Sequence, residues 1–246
     1  EIGVRLVGSE MCIRDRVYAI VGGIICALLA TLFIVVRVQK GGMTALYLKA
    51  LASVGFVGLG LVMFFGYAPA DWKSVFVILG LVMGLVGDVL LDFKVVQKEK
   101  SDTFLNWGML AFGVGHIFYF IYLVLCQTAF NVWGLFIALG VAAFLTVAII
   151  KYISPLMKLD FGKFKWQSAA YSFVLTFVML YAITCAVLTP SFWLIALGLS
   201  LIFVSDLILS TMYFGGKEND KLLCILNHAL YYLGQIAIAL SCLTFL

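Results

Sequence analysis

Charge is what this sequence has least of. Only 11% of its 246 residues are Asp, Glu, Lys or Arg and 65% are hydrophobic, whereas a soluble domain carries roughly 25% charge. A chain this small exposes much of its surface in any fold, so that excess cannot be hidden in a core surrounded by water. Proline is nearly as scarce, with three residues, at 69, 155 and 190. With so few breakers and only short polar gaps there is no room for a separate soluble domain. Six cysteines are present but none in a CxxC or Cys/His ligand spacing, which implies neither a zinc site nor a disulfide framework. Cys26, Cys126, Cys185, Cys224 and Cys242 read instead as small polarizable packing residues in or beside apolar runs. Val4 to Arg16, VRLVGSEMCIRDR, resembles translated sequencing-adapter sequence. Residues 1–16 are therefore expected to be a non-native or disordered leader, and 17–246 a single eight-helix transmembrane domain.

What is present is a series of long apolar runs. A membrane-spanning helix needs about 20 such residues, and eight segments qualify: 17–36, 45–67, 74–93, 104–126, 131–150, 168–188, 191–213 and 221–244. The predicted fold class is all-α, a polytopic membrane bundle. Turn chemistry separates the spans: Lys40-Gly41-Gly42, Ala68-Pro69-Ala70, the charged stretch Lys94 to Asp102, Ser154-Pro155 and Thr189-Pro190-Ser191. Outside the leader and Lys49, eleven basic residues fall in loops 1–2, 3–4, 5–6 and 7–8, and Lys73 alone falls in the others. Cationic loops stay on the cytoplasmic side, so both termini are expected outside. The net charge of +4 is then topological, and no nucleic-acid footprint is seen.

A charge in hydrocarbon costs at least ~2.5–3.5 kcal/mol, which makes every intramembrane ionisable residue a functional candidate. The set is short: Lys49, Asp88, Asp92, His116, Asp206 and His228. Asp88 and Asp92 are four residues apart and share a helix face. The whole set lies in the middle or cytoplasmic half of the membrane, which suggests one cavity open to the cytoplasm. Simpler readings compete for some members. Asp92 also suits a snorkelling residue or a partner of Lys94, Lys49 an interfacial anchor, and the two histidines neutral packing residues. Asp88 and Asp206 end no helix and are harder to explain structurally. A short repeat groups them: GDVLLD (87–92) parallels SDLILS (205–210), and each is followed one span later by His-x-x-Tyr, His116/Tyr119 and His228/Tyr231. Two parallel repeats about an axis along the membrane normal would set the two aspartates facing each other.

Several stretches resemble the YhhN-like lysoplasmalogenases: LKAL (48–51), GLVGDVLLDF (84–93), FLNWGMLAFGVGHIFYFIYL (104–123), FVSDLILS (203–210) and YYLGQ (231–235). They cover most of the chain from about residue 45, although Ala50 stands where the family often has proline. The resemblance implies an eight-helix hydrolase that cleaves the vinyl ether of a lysoplasmalogen to a fatty aldehyde and glycerophospho-ethanolamine or -choline. Vinyl ether hydrolysis protonates the β-carbon and lets water capture the oxocarbenium ion, so it calls for one protonated acid and one carboxylate, as glycosidic bonds do. Asp88 and Asp206 are the expected pair, with the roles left open. Asp92, Tyr231 or Tyr232, and Gln235 are expected to orient water or tune the pair, and Asn227 to support the site or bind substrate. Lys49 and the loop cations would receive the lipid phosphate, and His116 and Tyr119 would line the cavity. Neither metal nor cofactor is called for, and the expected partners are the lysophospholipid and the surrounding membrane lipids.

The main rival is a proton-coupled transporter or channel using the same acids. Spans uninterrupted by proline and polar residues gathered toward one face fit it less well. A non-catalytic lipid-binding or scaffold protein is the third reading.

Overall fold

Eight long helices carry the eight apolar segments, and no strand occurs among the described residues. The computed structural model describes residues 2–66, 72–127 and 130–243, with side chains from Arg16 onward. The helices are α1 (Ile2–Gln39), α2 (Gly42–Gly66), α3 (Val75–Val96), α4 (Ser101–Leu125), α5 (Val132–Ala148), α6 (Lys165–Leu188), α7 (Trp193–Phe214) and α8 (Lys221–Leu240). Within α1 the apolar span is Arg16–Gln39. Helices satisfy every backbone hydrogen bond internally, which hydrocarbon demands, and large apolar side chains such as Trp133, Phe144 and Val187 point outward. The protein is an integral, multi-pass membrane protein built as an all-α bundle.

The turns follow the residues that make them. Gly41 and Gly42 adopt φ of 61° and 67°, a left-handed backbone open mainly to glycine, and reverse the chain between α1 and α2. The Asn131 side chain accepts the Gly134 N–H at 2.8 Å, and Asp220 accepts those of Leu222 and Leu223 at 2.9 and 3.1 Å, which caps α5 and α8. The turn expected at Ala68-Pro69-Ala70 lies outside the described residues.

The fifth span departs from expectation. Helix was expected to stop before Ser154-Pro155, yet the chain continues through a π-turn at Ile149–Ile153 into a helical turn at Ser154–Leu156. A proline inside a helix leaves a carbonyl without its donor. Here the chain widens into the π-turn, where the Ile149 carbonyl accepts both the Ser154 N–H and, at 2.8 Å, the Ser154 hydroxyl.

Two hairpins, α3–α4 and α7–α8, are the most tightly packed pairs. Around them α1, α2, α3 and α8 form one side, while α6 packs against α4, α5 and α7 on the other. The lysine-bearing loops meet at one end of the bundle. There Lys94 pairs with Glu218 at 2.8 Å, Lys163 with Asp102, and the Asp160 N–H with the Phe214 carbonyl at 2.8 Å.

Candidate functional site

The first part of the site is a buried charge cluster between α1, α2, α3 and α8. Lys49 comes from the second turn of α2 and is 5% exposed. Its ammonium lies 3.4 Å from Asp88 Oδ1 and 3.2 Å from Asp92 Oδ1. The i, i+4 spacing of the two aspartates on α3 puts both carboxylates on the face that meets α2. Arg37, near the end of α1, reaches Asp92 Oδ2 at 3.4 Å. Two cations thus face two carboxylates, the balance a buried ionic group requires. Ser53, one turn beyond Lys49, donates to Asp88 Oδ2 at 2.6 Å, and Tyr231 donates to the same oxygen at 2.9 Å. Gln235 donates to the Tyr231 hydroxyl at 2.9 Å and accepts from Tyr119 at 3.4 Å. Tyr232 donates to the Lys49 carbonyl at 3.3 Å.

The second part is an apolar cavity of about 710 Å³ on the other side of the bundle. Leu91 of α3, Met109 and Phe112 of α4, the π-turn of α5, Leu175 of α6 and Phe203 of α7 form its walls. Asp206 stands in this wall, and Tyr171 of α6 donates to its carboxylate. Among the described residues Asp206 has no ion pair. Asp88 is near enough for the two aspartates to interact through their charge, but it is not part of the cavity wall.

Aromatic groups join the two parts. His116 meets Tyr171 edge-on, with ring centroids 6.2 Å apart, and Tyr119 in the same way at 5.9 Å. Its Nδ1 donates to the Phe112 carbonyl at 2.7 Å, and Nε2 is buried without a partner. A chain of side chains therefore runs from Asp206 through Tyr171, His116, Tyr119, Gln235 and Tyr231 to Asp88.

Of the residues singled out in the sequence, Lys49, Asp88, Asp92, Tyr119, Tyr231, Tyr232 and Gln235 come together in this network. His116 and Tyr119 stand behind Tyr171 rather than in the cavity wall. Asp92 is held by Lys49 and Arg37, while Lys94 turns to Glu218 and the Tyr213 ring. Lys49 is committed to its two carboxylates rather than anchored at an interface. Asn227 bonds the Ser205 backbone and hydroxyl at 2.8 Å, fastening α8 to α7. His228 donates to the Cys224 carbonyl at 2.8 Å and lies against Phe33. Sequence reasoning grouped Arg37 and Lys217 only among the loop cations and did not foresee Arg37 as a partner of Asp92, and it missed Ser53 and Tyr171. Ser53 was findable, because it follows Lys49 by four residues.

An eight-helix bundle with balanced charges sealed beside an apolar cavity defines a polytopic membrane protein with a buried polar network among its spans. The family comparison names it further: the chain belongs to the YhhN family, whose profile matches residues 43–242. No curated protein and no solved structure gives a significant match.

Proposed function

We infer that this protein is a membrane-embedded hydrolase that cleaves the vinyl ether bond of a lysoplasmalogen, releasing a fatty aldehyde and glycerophospho-ethanolamine or -choline. The observation that carries the reading is a carboxyl group, Asp206, set in the wall of an apolar cavity with a tyrosine as its partner. Ligand cavities of roughly 300–1,000 Å³ with few polar groups hold molecules of this size.

The two aspartates divide the work by their surroundings. Asp206 faces no cation, so it is the member that carries the proton. Asp88, held by Lys49, Ser53 and Tyr231, is the ionised one. Asp206 delivers its proton to the β-carbon of the O–CH=CH unit, and the π electrons form the new C–H bond. The ether oxygen then shares its lone pair with the α-carbon as an oxocarbenium ion. The negative charge of Asp88, near enough to Asp206 for the two to interact, favours that cation. Water adds to the α-carbon and gives its proton to the Asp206 carboxylate, the acid-to-base switch used by retaining glycosidases. The hemiacetal collapses as Asp206 gives its proton to the glycerol oxygen, the C–O bond breaks and the hemiacetal hydroxyl returns its proton to Asp206, leaving aldehyde, alcohol and the acid in its starting state. Tyr171 fixes the orientation of the acid throughout.

The test is aldehyde release from an alkenyl lysophosphatidylethanolamine by purified protein in lipid vesicles. Asp206→Asn is expected to lose activity by at least 100-fold, the lower range for losing a general acid, while keeping the wild-type thermal midpoint within a few degrees. Retained turnover in that variant would remove Asp206 from the mechanism. Proton-dependent uptake without aldehyde would instead favour the carrier.

A further inference from the structure

We propose that the cavity is filled sideways from the bilayer, through an opening between the end of α5 and the middle of α7, by the chain of a single-chain lipid whose head-group phosphate rests at Lys217. This rests on the reading of the cavity as a lipid site and adds the route and pose of the lipid.

Four cavity-wall residues are also substantially exposed: Ile153 at 43%, Met157 at 47%, Val204 at 45% and Leu207 at 41%. A residue that belongs to both an inner wall and the outer surface marks an opening. All four are apolar, and two stand on α7 while two follow the body of α5. Leu207 lies seven residues before the end of α7, about 10 Å along the helix, which places the opening within the hydrocarbon thickness. An apolar opening at that depth faces lipid tails, not water. The α5 side of the opening is the π-turn, where the wider coil breaks the regular ridge that would pack against a neighbouring helix.

Two polar features orient the occupant. Lys217 lines the end of the cavity nearest the lysine-bearing loops and is exposed, so it suits the phosphate of a lipid head group. Ser168, in the first turn of α6, also lines the cavity, is only 7% exposed, and its hydroxyl has no hydrogen-bond partner. A buried hydroxyl without a partner costs about 1–3 kcal/mol, and a glycerol oxygen below the head group would satisfy it. The chain then runs past Asp206 and Tyr171 toward Phe112 and Leu175. One chain fits this arrangement, because Lys217 and Ser168 mark one end and, apart from Asp206 with Tyr171 and Ser172 beside it, the wall beyond them is apolar.

Bromine quenching tests the route without using catalysis. All five tryptophans, Trp72, Trp107, Trp133, Trp166 and Trp193, are exposed, so a background with each replaced by Phe keeps the core intact. In it, a Phe203→Trp reporter lies in the cavity wall and a Phe136→Trp reporter, at a position 60% exposed, faces outward. The probe is acyl lysophosphatidylcholine with a dibrominated chain, mixed into phosphatidylcholine vesicles. The Phe203→Trp signal is expected to quench saturably and to recover when unbrominated lysolipid competes. The Phe136→Trp signal should follow the bulk bromolipid fraction and ignore the competitor. Narrowing the opening with Leu207→Phe, alone or with Ile153→Phe, should slow quenching at 203 several-fold and leave its final extent unchanged. Non-saturable quenching at 203, or an unchanged rate in both narrowed variants, would overturn the proposal. Aldehyde release without saturable quenching would refute the route and spare the hydrolase. Saturable quenching without aldehyde release from an alkenyl substrate would do the reverse.

Discussion

Lys49 holds Asp88 and Asp92 on either side of its ammonium, and its removal changes the charge balance in a calculable way. Lys49→Met leaves two carboxylates against Arg37 alone, and stripping one partner from a buried ion pair costs about 3–5 kcal/mol. A large fall in the thermal midpoint in detergent is therefore expected. Adding Asp88→Asn leaves Asp92 with Arg37, one charge of each sign, and should recover a measurable part of the loss. A single variant as stable as wild type, or a double variant no better than the single, would show that the cluster is not balanced in this way. The sequence marked these residues because a charge in hydrocarbon is expensive wherever it sits. It could not pair them, since the spacing along α3 says which face the aspartates share and not which helix that face meets. Arg37 was hidden for a related reason: near a span end it reads as an orientation signal. Tyr171 had no signal at all, being one of 11 tyrosines with nothing in its neighbours to set it apart.

At the level of helices, glycine decides how near two backbones come. In α7 a Cβ on Gly198 would lie 2.7 Å from the Gly234 carbonyl oxygen and 3.1 Å from the Ile238 nitrogen, both backbone atoms of α8. A Cβ on Gly115 would similarly meet the Gly80 carbonyl of α3 at 3.1 Å. Gly80 and Gly198 each stand eight residues before an aspartate, Asp88 and Asp206, so the repeat seen in the sequence extends to the way each hairpin is closed. The histidines do not keep that register: His116 directly follows the crossing glycine, whereas His228 precedes its counterpart by six residues. Gly108 differs, because its added Cβ would meet the far end of the Leu91 side chain at 2.7 Å, and that leucine borders the cavity and has room to swing. Gly198→Ala is expected to destabilise by about 1–3 kcal/mol, the usual cost of overpacking, and Gly108→Ala by clearly less. Comparing thermal midpoints of the two variants checks this, and equal losses would mean that the α7–α8 crossing is no tighter than the α3–α4 one. Span number and order were legible because apolar length is a one-dimensional property. The helical continuation through Pro155 was not, because it runs through a π-turn that appears only in three dimensions.

For the whole molecule, the question is which leaflet supplies the lipid. The lysine-bearing loops converge at one end, tied by Lys94–Glu218 and Lys163–Asp102, and the cavity reaches that end at Lys217. The membrane potential and translocation machinery retain cationic loops on the cytoplasmic face, so the cavity is expected to draw on the cytoplasmic leaflet. Cysteine labelling in intact cells tests this directly. Lys98→Cys and Lys163→Cys, in two of these loops, should resist an impermeant maleimide until the cells are permeabilised. Thr189→Cys, in the exposed turn between α6 and α7, should react at once, and the native cysteines provide the background. The reverse pattern would turn the protein over. Lys217 would then face the outer leaflet, and the lipid taken up between α5 and α7 would come from the opposite side of the membrane. The chemistry at Asp206 would be the same in either orientation, since the cavity and its acid move together. Only the lipid pool that the protein can reach would change.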